Sequence, residues 1–518
     1  MDLRRKVWDQ KVFKYAMISA VLWSLVHVYA FSRLMVSHDS LAEFYAEAAL
    51  RYGYTGMTWK ISLGRVLMPF YQKLIRGTVT LPWMIGLLSS LYMALAVYVT
   101  AQIFSLKRFW AIFVSAGVVI SNPSVFLQAA TFIHDMDINM LALLFSTLAA
   151  WCWKEDRWFL LAVGALCVSA CMGIYASFLS VTVALVIFVS ILDLLNRKDP
   201  VAVLLKGIKA IAMILAGLAI YGGMVSVVCQ MTGVKLAEGS YNSITNVGSQ
   251  TSANQLLKNI AAAYRDVIRS LSFKLFGHPD SLHMVSVAAI VLGMVAIAVK
   301  AISERIGFFA GAMLAVLLAL VPAALNLTMI ASPAAVHDLT RYVFVLVYLL
   351  VVLVAEQMLC TWKRKGQVAG VVLMACVAAI CWQYAVQANQ IYLKKDLENQ
   401  FVSSLMTRIM TRVEQREEYV PGETTLLFAG DMNHQLSLRR ELGDYWVYTG
   451  LNSSTPMHQW SHYEPYLEYL MGIQVIYADG QMRWDLVSSQ QVKDMPIYPQ
   501  EGFIQMIDDV LVIKVGPV

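Results

Sequence analysis

Residues 81–104 read LPWMIGLLSSLYMALAVYVTAQIF, a stretch that contains no Asp, Glu, Lys, Arg or His. A helix rises about 1.5 Å per residue and the apolar core of a bilayer is about 30 Å thick, so this stretch is long enough to cross a membrane. Ten further stretches share this apolar character, at 15–36, 109–125, 138–153, 158–173, 176–195, 203–230, 284–303, 308–330, 342–360 and 368–388. The sequence therefore predicts an α-helical, polytopic membrane protein with about eleven spans.

The overall composition indicates the same class. Hydrophobic residues make up 58% of the 518 positions, charged residues make up 14%, and the mean hydropathy is +0.60. Soluble globular chains carry about 25% charged residues. The net charge of +6 comes mainly from basic residues beside the apolar stretches, so it does not indicate a nucleic-acid partner.

The distribution of Lys and Arg predicts the orientation. Basic residues occupy every second connection, at 4–14, 107–108, 154–157, 197–198, 300–305 and 363–365. The alternate short connections, near 122–137, 173–176 and 331–341, carry only Arg341. Because basic loops stay in the cytoplasm, we expect a cytoplasmic N-terminus and, with an odd number of spans, an extracytoplasmic C-terminus.

The sequence lacks the motifs of several common types of functional site. All seven cysteines lie in or at the edges of apolar stretches, so neither a disulfide framework nor a zinc site is predicted. The sequence also has no phosphate-binding glycine loop, nucleophile elbow or zinc-peptidase helix. An enzyme on the outer face has no soluble nucleotide-activated donor, so we expect a lipid carrier to supply an activated group.

The chain divides by composition into two predicted domains, a membrane module at 1–388 and an extracytoplasmic α/β domain at 389–518. The second is rich in polar and turn residues and has short β-type runs at Thr424–Ala429, Tyr445–Tyr448, Ile473–Ala478 and Phe503–Val515. The last run is predicted to be a hairpin that turns at Asp508 and Asp509. The first outer loop, 37–80, is predicted to hold amphipathic helices at 41–54 and 64–76 that lie in the membrane interface.

Asp39 lies just beyond the outer end of the first span and follows His38. A carboxylate beside a substrate hydroxyl acts as a general base if partial burial tunes its pKa, and ionisable residues at membrane edges mark substrate sites. His38 is a companion candidate for substrate binding. The alternative is structural, because Asp is a favoured N-cap and a helix-like run follows.

A second acidic cluster, HDMDINM at 134–140, begins the fourth span. Asp135 and Asp137 are candidates for catalysis, and His134 for substrate binding. Together with Asp39 they can hold Mg²⁺ or Mn²⁺, which prefer carboxylate and water ligands, although no cofactor is certain. They can instead bind sugar hydroxyls, act as a second acid and base, or form an ordinary helix N-cap.

Arg341 is the leading candidate for binding a donor phosphate, because guanidinium binds phosphate through two parallel hydrogen bonds. Arg65 and Lys60 in the first outer loop are companions, and His337 is a candidate for substrate binding. Tyr175 can stack on a sugar or a prenyl chain. The alternatives are snorkelling of Arg341 at a helix end and an aromatic membrane-interface belt for Tyr175.

These features together resemble the GT-C glycosyltransferases. Within that superfamily the chain is similar to the glucosyltransferase II family, which includes serotype-converting O-antigen glucosyltransferases. The similarity covers roughly residues 15–390 and is carried by SHDSL (37–41), ISLGRVLMPFYQKLI (61–75), HDMDINM (134–140), GIYASFLSV (173–181) and LTRYVFV (339–345). Some relatives have paired acids in the first loop, where this chain has His38 before Asp39.

The resemblance implies an inverting glycosyltransferase in a bacterial inner membrane. It would move a hexose, expected to be glucose, from a polyprenyl phosphate carrier to a surface glycan such as lipid-linked O-antigen, and membrane lipid would surround it. Asp39 would be the catalytic base, Asp135 and Asp137 would support it, and Arg341 and Arg65 would hold the phosphate. A donor-synthesising glycosyltransferase and a flippase would work with it. The alternative function is transport of a lipid-linked saccharide.

Overall fold

The computed structural model describes residues 10–37, 41, 56–77, 79–238, 252–273, 280–333, 336, 338–432, 462–478 and 480–518. The predicted fold class is confirmed, because the chain is mostly helical and ends in a small sheet. His38, Asp39 and His337 lie outside the described residues, as do most of the predicted helix at 41–54 and the β-type run at 445–448.

The helices fall into an N-terminal and a C-terminal series. The first series is α1 (Gln10–Phe31), α2 (Gly56–Ser62), α3 (Met68–Ile75), α4 (Pro82–Phe104), α5 (Phe109–Ile120), α6 (Pro123–Thr131), α7 (Met136–Lys154), α8 (Trp158–Tyr175), α9 (Leu179–Leu195) and α10 (Pro200–Thr232). The second is α11 (Ala253–Phe273), α12 (Asp280–Ser303), α13 (Phe308–Leu325), α14 (Leu327–Ala331), α15 (Val347–Thr361), α16 (Arg364–Glu414), α17 (Tyr463–Pro465), α18 (Gly480–Ser488) and α19 (Gln490–Asp494). Short 3₁₀ turns at Ile133–Asp135, Ala176–Phe178, Asp338–Thr340 and Tyr342–Leu346 connect some of them.

Local sequence signals set several helix ends. Pro82, Pro123 and Pro200 each occupy the first helical position, where the missing N–H is not needed. The Asp199 carboxylate caps α10 by accepting hydrogen bonds from the backbone N–H groups of the second and third residues after it. Gly233 ends α10 in the left-handed conformation at φ +71°, which glycine adopts without steric cost.

The chain forms two compact units. The first unit contains residues 1–32, 57–129 and 135–389, and the second contains 33–56, 130–134 and 390–518. The second unit thus includes two short segments from the outer loops in addition to the C-terminal region. The domain division proposed from composition stays a prediction.

Ten described segments are long and apolar enough to cross a membrane. One of them, Trp158–Leu195, has 38 residues, about 57 Å of helix at 1.5 Å per residue and almost twice the apolar thickness of a bilayer. It consists of α8 and α9 with a 3₁₀ turn between them. The amine of Lys206, near the start of α10, donates to the carbonyl of Lys154 at the end of α7 over 2.8 Å. The segment therefore starts and ends at the same level and crosses twice, which gives eleven crossings in the described chain.

The basic connections of the first unit meet at one end, here called the basic end. Backbone N–H groups of Lys107 and Arg108 donate to Glu356 near the end of α15, at 2.9 and 3.2 Å. Lys300 donates to Gln357 over 2.6 Å, and Lys154 donates to the carbonyl of Gln102 over 2.9 Å. An ion pair of 3.1 Å joins Arg197 to Glu304. The basic loops, which occupy every second connection in the sequence, therefore lie together at one end of the first unit.

In the second unit four strands form a sheet in the order β2-β1-β4-β3, with β1 at Thr425–Ala429, β2 at Ile476–Tyr477, β3 at Ile504–Ile507 and β4 at Val510–Lys514. β1 is parallel to β2 and β4, whereas β3 and β4 form an antiparallel hairpin. Asp508 and Asp509 turn the hairpin at φ +48° and +60°, a conformation that Asp tolerates better than most residues. This is the turn predicted from the sequence.

Alternate residues of β1 face two separate apolar cores. Leu426 and Phe428 belong to a core with Met406 of α16, while Leu427 belongs to a core with Leu486 of α18. This alternation follows from the period of two in a strand. The second unit is therefore an α/β arrangement with helices on both faces of the sheet.

Candidate active site

The candidate residues of the first unit lie at the end opposite the basic end, here called the polar end. The helices α4, α7 and α15 each finish at the basic end. The opposite end therefore holds three segments: the loop before α4, the start of α7 and the segment before α15. These three segments contain Lys60, Arg65, Asp135, Asp137 and Arg341.

Lys60 and Asp135 form a buried ion pair. The Lys60 amine lies 2.6 Å from a carboxylate oxygen of Asp135, and the amide of Gln72 donates to the same oxygen over 2.8 Å. Lys60 is 4% exposed and Asp135 is 7% exposed. Lys60 thus faces a carboxylate inside the protein and ties α2 to the turn before α7, and its role at a lipid phosphate stays a prediction.

Asp137 forms a second buried pair with Arg76. The guanidinium Nε of Arg76 donates to Asp137 over 3.0 Å, and both side chains are fully buried. The Tyr71 hydroxyl donates to the same carboxylate oxygen over 3.1 Å. Burial and the neighbouring Asp137 charge raise the pKa of Tyr71 well above its ordinary value, so the phenol remains a proton donor. The sequence predicted Arg76 only as the last residue of the interfacial helix at 64–76, without a partner.

The helix α3 thus presents different faces to the protein and to the membrane. It was predicted as part of a helix at 64–76, and it is shorter because α2 and a loop precede it. Gln72 and Arg76 point toward the acids, whereas Phe70 and Leu74 are exposed. An exposed apolar face beside membrane spans fits the predicted interfacial position.

The divalent cation considered from the sequence stays a prediction, because Asp39, one of its proposed ligands, lies outside the described residues. Asp135 and Asp137 each form an ion pair with their own basic partner, Lys60 or Arg76. His134 is buried and belongs to the second unit. In the described part of the chain no three His, Cys, Asp or Glu side chains form a group that could hold a metal ion.

Arg341 is paired with Asp266, an acid that also accepts a hydrogen bond from Asn326 at the junction of α13 and α14. Its guanidinium donates to Asp266 of α11 over 2.9 Å, and the Asn326 amide donates to the second Asp266 oxygen over 3.0 Å. Arg341 and Asp266 retain 24% and 18% of their side-chain exposure. Sequence reasoning did not select Asp266 or Asn326. One signal could have found Asp266. It directly precedes Val267, which lies on the buried face of an amphipathic helix, and an acid at such a position needs a basic or amide partner.

Aromatic rings join Arg65 to the Arg341 segment. The Arg65 guanidinium lies over the Tyr175 ring at 4.7 Å from its centroid. The Tyr175 and Phe178 centroids are 5.9 Å apart, and those of Phe178 and Tyr342 are 5.4 Å apart. Tyr342 directly follows Arg341. The three rings, here called the aromatic row, therefore link Arg65 to the segment that carries Arg341, whose own guanidinium lies over the Phe344 ring at 5.9 Å from its centroid.

The two arginines of this arrangement are the groups suited to bind a phosphate, because guanidinium groups bind phosphate oxygens. The three rings are buried, at 9% exposure for Tyr175, 1% for Phe178 and 3% for Tyr342, so in this structure they pack inside the protein. The buried pairs at Asp135 and Asp137 fix α2 and α3 beside the start of α7. Arg65 lies in the short loop between those two helices, so the pairs also set its position.

The family model described as Glucosyl transferase GtrII matches residues 47–355, more than half of the chain. The chain belongs to this family. The match includes the ion pairs, the aromatic row and Arg341, and it begins after His38 and Asp39. No curated protein matches the chain. The family and the apolar helices make this protein a multi-pass membrane glucosyltransferase.

Proposed function

We propose that this glucosyltransferase takes glucose from a polyprenyl phosphate carrier and transfers it, with inversion, to a surface glycan such as lipid-linked O-antigen. The reaction would occur on the periplasmic face of a bacterial inner membrane, with the N-terminus in the cytoplasm. A second glycosyltransferase would make the lipid-linked donor, and a flippase would bring it across the membrane.

The observation that carries the proposal is that Arg65 and Arg341 both lie at the polar end, on segments that the aromatic row links. Basic loops stay cytoplasmic, so the positive-inside rule favours a polar end that faces the periplasm. Nucleotide sugars are absent from that compartment, which favours a lipid-linked donor. A phosphate head matches the two guanidinium groups in chemistry.

The proposed reaction is a single displacement. An acceptor hydroxyl attacks the anomeric carbon of glucose opposite the phosphate, a new C–O bond forms, and the bond from carbon to phosphate oxygen breaks. Asp39 accepts the hydroxyl proton, and the phosphate leaves with the bonding electron pair. Arg341 and Arg65 stabilise the charge that builds on the leaving phosphate. Asp135 and Asp137 act as positioning residues through Lys60 and Arg76.

The decisive experiment follows radiolabelled glucose in membranes that contain the protein. The membranes receive labelled polyprenyl phosphate glucose and a lipid-linked glycan, and the wild type is compared with Asp39→Asn and Asp509→Asn. Asp509 is an exposed turn residue at φ +60°, where Asn fits equally well, so it is the matched control.

We expect glucose to reach the glycan in the wild type and in Asp509→Asn, and transfer to fall at least about a hundredfold in Asp39→Asn, as for loss of a general base. Full transfer by Asp39→Asn contradicts the role of Asp39. Labelled donor that crosses the bilayer without reacting would favour transport of the lipid-linked sugar instead.

A further inference from the structure

Asn122 is a buried amide that the proposed reaction does not use. It lies between α5 and α6, inside the membrane-spanning segment Phe109–Thr131, and it is fully buried. An amide in apolar surroundings costs free energy unless its polar atoms are hydrogen-bonded. The partners of Asn122 therefore indicate what the residue does.

One half of the Asn122 amide caps a helix. The side-chain oxygen accepts a hydrogen bond from the backbone N–H of Ser124 over 3.1 Å, and the backbone carbonyl accepts one from Val125 over 2.9 Å. These bonds start α6. Because Asp, Ser and Thr also cap helices, capping alone does not require an amide at this position.

The other half of the amide reaches the segment that carries Arg341. The Asn122 Nδ2 donates to the backbone carbonyl of Tyr342 over 2.8 Å, although the two residues are 220 positions apart. In return the Tyr342 hydroxyl donates to the carbonyl of Val119, at the end of α5, over 3.2 Å. These two bonds, here called the clamp, hold Tyr342 by its backbone and by its side chain.

The clamp explains the residue type. The N–H of Ser124 can only donate and the carbonyl of Tyr342 can only accept, so the side chain between them must both accept and donate. Among the common capping residues, Asn offers an oxygen acceptor and a separate NH₂ donor.

A second amide supports the same segment on the other side of Arg341. Gln128 of α6 donates to the carbonyl of Leu339 over 3.4 Å and accepts from Asn139 of α7 over 3.4 Å. The backbone is thus held two residues before Arg341 and one residue after it. The guanidinium of Arg341 is held separately by Asp266.

Fixing a phosphate-binding group before the substrate arrives strengthens binding. A mobile segment loses conformational entropy when a ligand orders it, whereas a segment that is already ordered does not. A preorganised guanidinium also needs no rearrangement when charge builds on the leaving phosphate. The clamp can therefore affect the reaction without any contact to the substrate.

We propose that Asn122 is a positioning residue for Arg341: its amide clamps the backbone at Tyr342 and so places the guanidinium for the donor phosphate. The inference rests on the proposed function for the phosphate at Arg341. It assigns a role in donor binding to a residue that lies inside the helices, with the cap of α6 as its second task.

The test uses Asn122→Ser and Tyr342→Phe. Serine keeps a capping oxygen and removes the NH₂ donor, and phenylalanine keeps the ring and removes only the hydroxyl at the other half of the clamp. The matched control is Trp153→Phe. Trp153 is 1% exposed and also donates to a backbone carbonyl, that of Lys206, over 2.8 Å, but at the basic end.

We expect KM for polyprenyl phosphate glucose to rise by about fivefold to tenfold in Asn122→Ser and Tyr342→Phe, as for loss of one hydrogen bond, with kcat changed less than about twofold. Trp153→Phe should lower the thermal unfolding temperature and leave KM unchanged. An unchanged KM in both clamp variants would overturn the proposal.

A double-mutant cycle separates positioning from a general loss of stability. In an Arg341→Ala background the clamp has no guanidinium to place, so Asn122→Ser should raise KM no further. A structural role would give the same fold-change in KM with and without Arg341. That additive result would also overturn the proposal.

Amide hydrogen exchange tests the clamp without any substrate. We expect exchange at residues 339–346 to become about tenfold faster in Asn122→Ser and Tyr342→Phe but not in Trp153→Phe. If Arg341→Ala alone leaves KM for the donor unchanged, the phosphate role of Arg341 in the proposed function fails. Exchange would then still decide whether Asn122 holds the segment, and unchanged exchange in both clamp variants would contradict the clamp itself.

Discussion

At the scale of single residues, the site is organised by ion pairs whose partners are far apart in sequence. Arg76 and Asp137 are separated by 61 positions, and Arg341 and Asp266 by 75. The sequence identified Asp135, Asp137 and Arg341 as candidates because ionisable residues at membrane edges can mark substrate sites. It did not identify their partners, because pairing over such separations leaves no periodic pattern in one chain.

The fully buried pair of Arg76 and Asp137 is expected to be essential for stability. Asp137→Asn should lower the free energy of unfolding by about 3–5 kcal/mol, because it leaves a buried guanidinium without a counter-charge. Thermal unfolding in detergent measures this. The control is Asp156→Asn, which breaks the exposed pair with Lys209 and should cost no more than about 1 kcal/mol. Similar losses in both variants would show that burial of the pair is unimportant.

Arg341 is expected to need its guanidinium shape as well as its charge. Arg341→Lys keeps the positive charge and removes the planar fork that binds two phosphate oxygens. We expect KM for the lipid-linked donor to rise about tenfold, as for loss of one charge-assisted hydrogen bond. Arg269→Lys changes an exposed arginine of α11 in the same way and should leave KM unchanged. An unchanged KM in Arg341→Lys would exclude bidentate phosphate binding there.

At the scale of elements, composition alone predicts the spans well because a membrane helix must be continuously apolar for its length. The helix α2 was missed, since its seven residues, GMTWKIS, show no clear periodicity. The helices α18 and α19 were also missed, because their sequences are polar and carry a weak apolar pattern. The hairpin of β3 and β4 was found because two adjacent turn residues interrupt a β-type run.

The helix α11 is expected to depend on Asp266 for its attachment. It is also held by Tyr264, which donates to the carbonyl of Ala319 over 2.6 Å. Asp266→Ala removes the acceptor for Arg341 and Asn326, so amide hydrogen exchange in α11 should speed up by about tenfold to a hundredfold. Arg265→Ala changes the adjacent exposed residue and provides the control. Equal exchange in the two variants, measured by mass spectrometry, would show that α11 is held without Asp266.

At the scale of the whole molecule, the basic and polar ends predict one orientation in the membrane. An odd number of crossings would put residues before the first span and after the last on opposite sides of the membrane. Alkaline phosphatase is active only outside the cytoplasm, so a fusion after residue 518 should be active and one after Lys363, at the basic end, should be inactive. The reverse result would place the polar end in the cytoplasm, where nucleotide sugars are abundant, and would remove the argument for a lipid-linked donor.

With the proposed polyprenyl phosphate donor, enzyme and donor share one bilayer, and this would affect how the enzyme finds its substrate. A carrier that enters from within the bilayer meets the protein by diffusion in two dimensions, so its surface density sets the encounter rate. Fusing the membranes with inert phospholipid vesicles would dilute the carrier per unit area without changing its amount in the tube. Glucose transfer would then slow in proportion to the added membrane area.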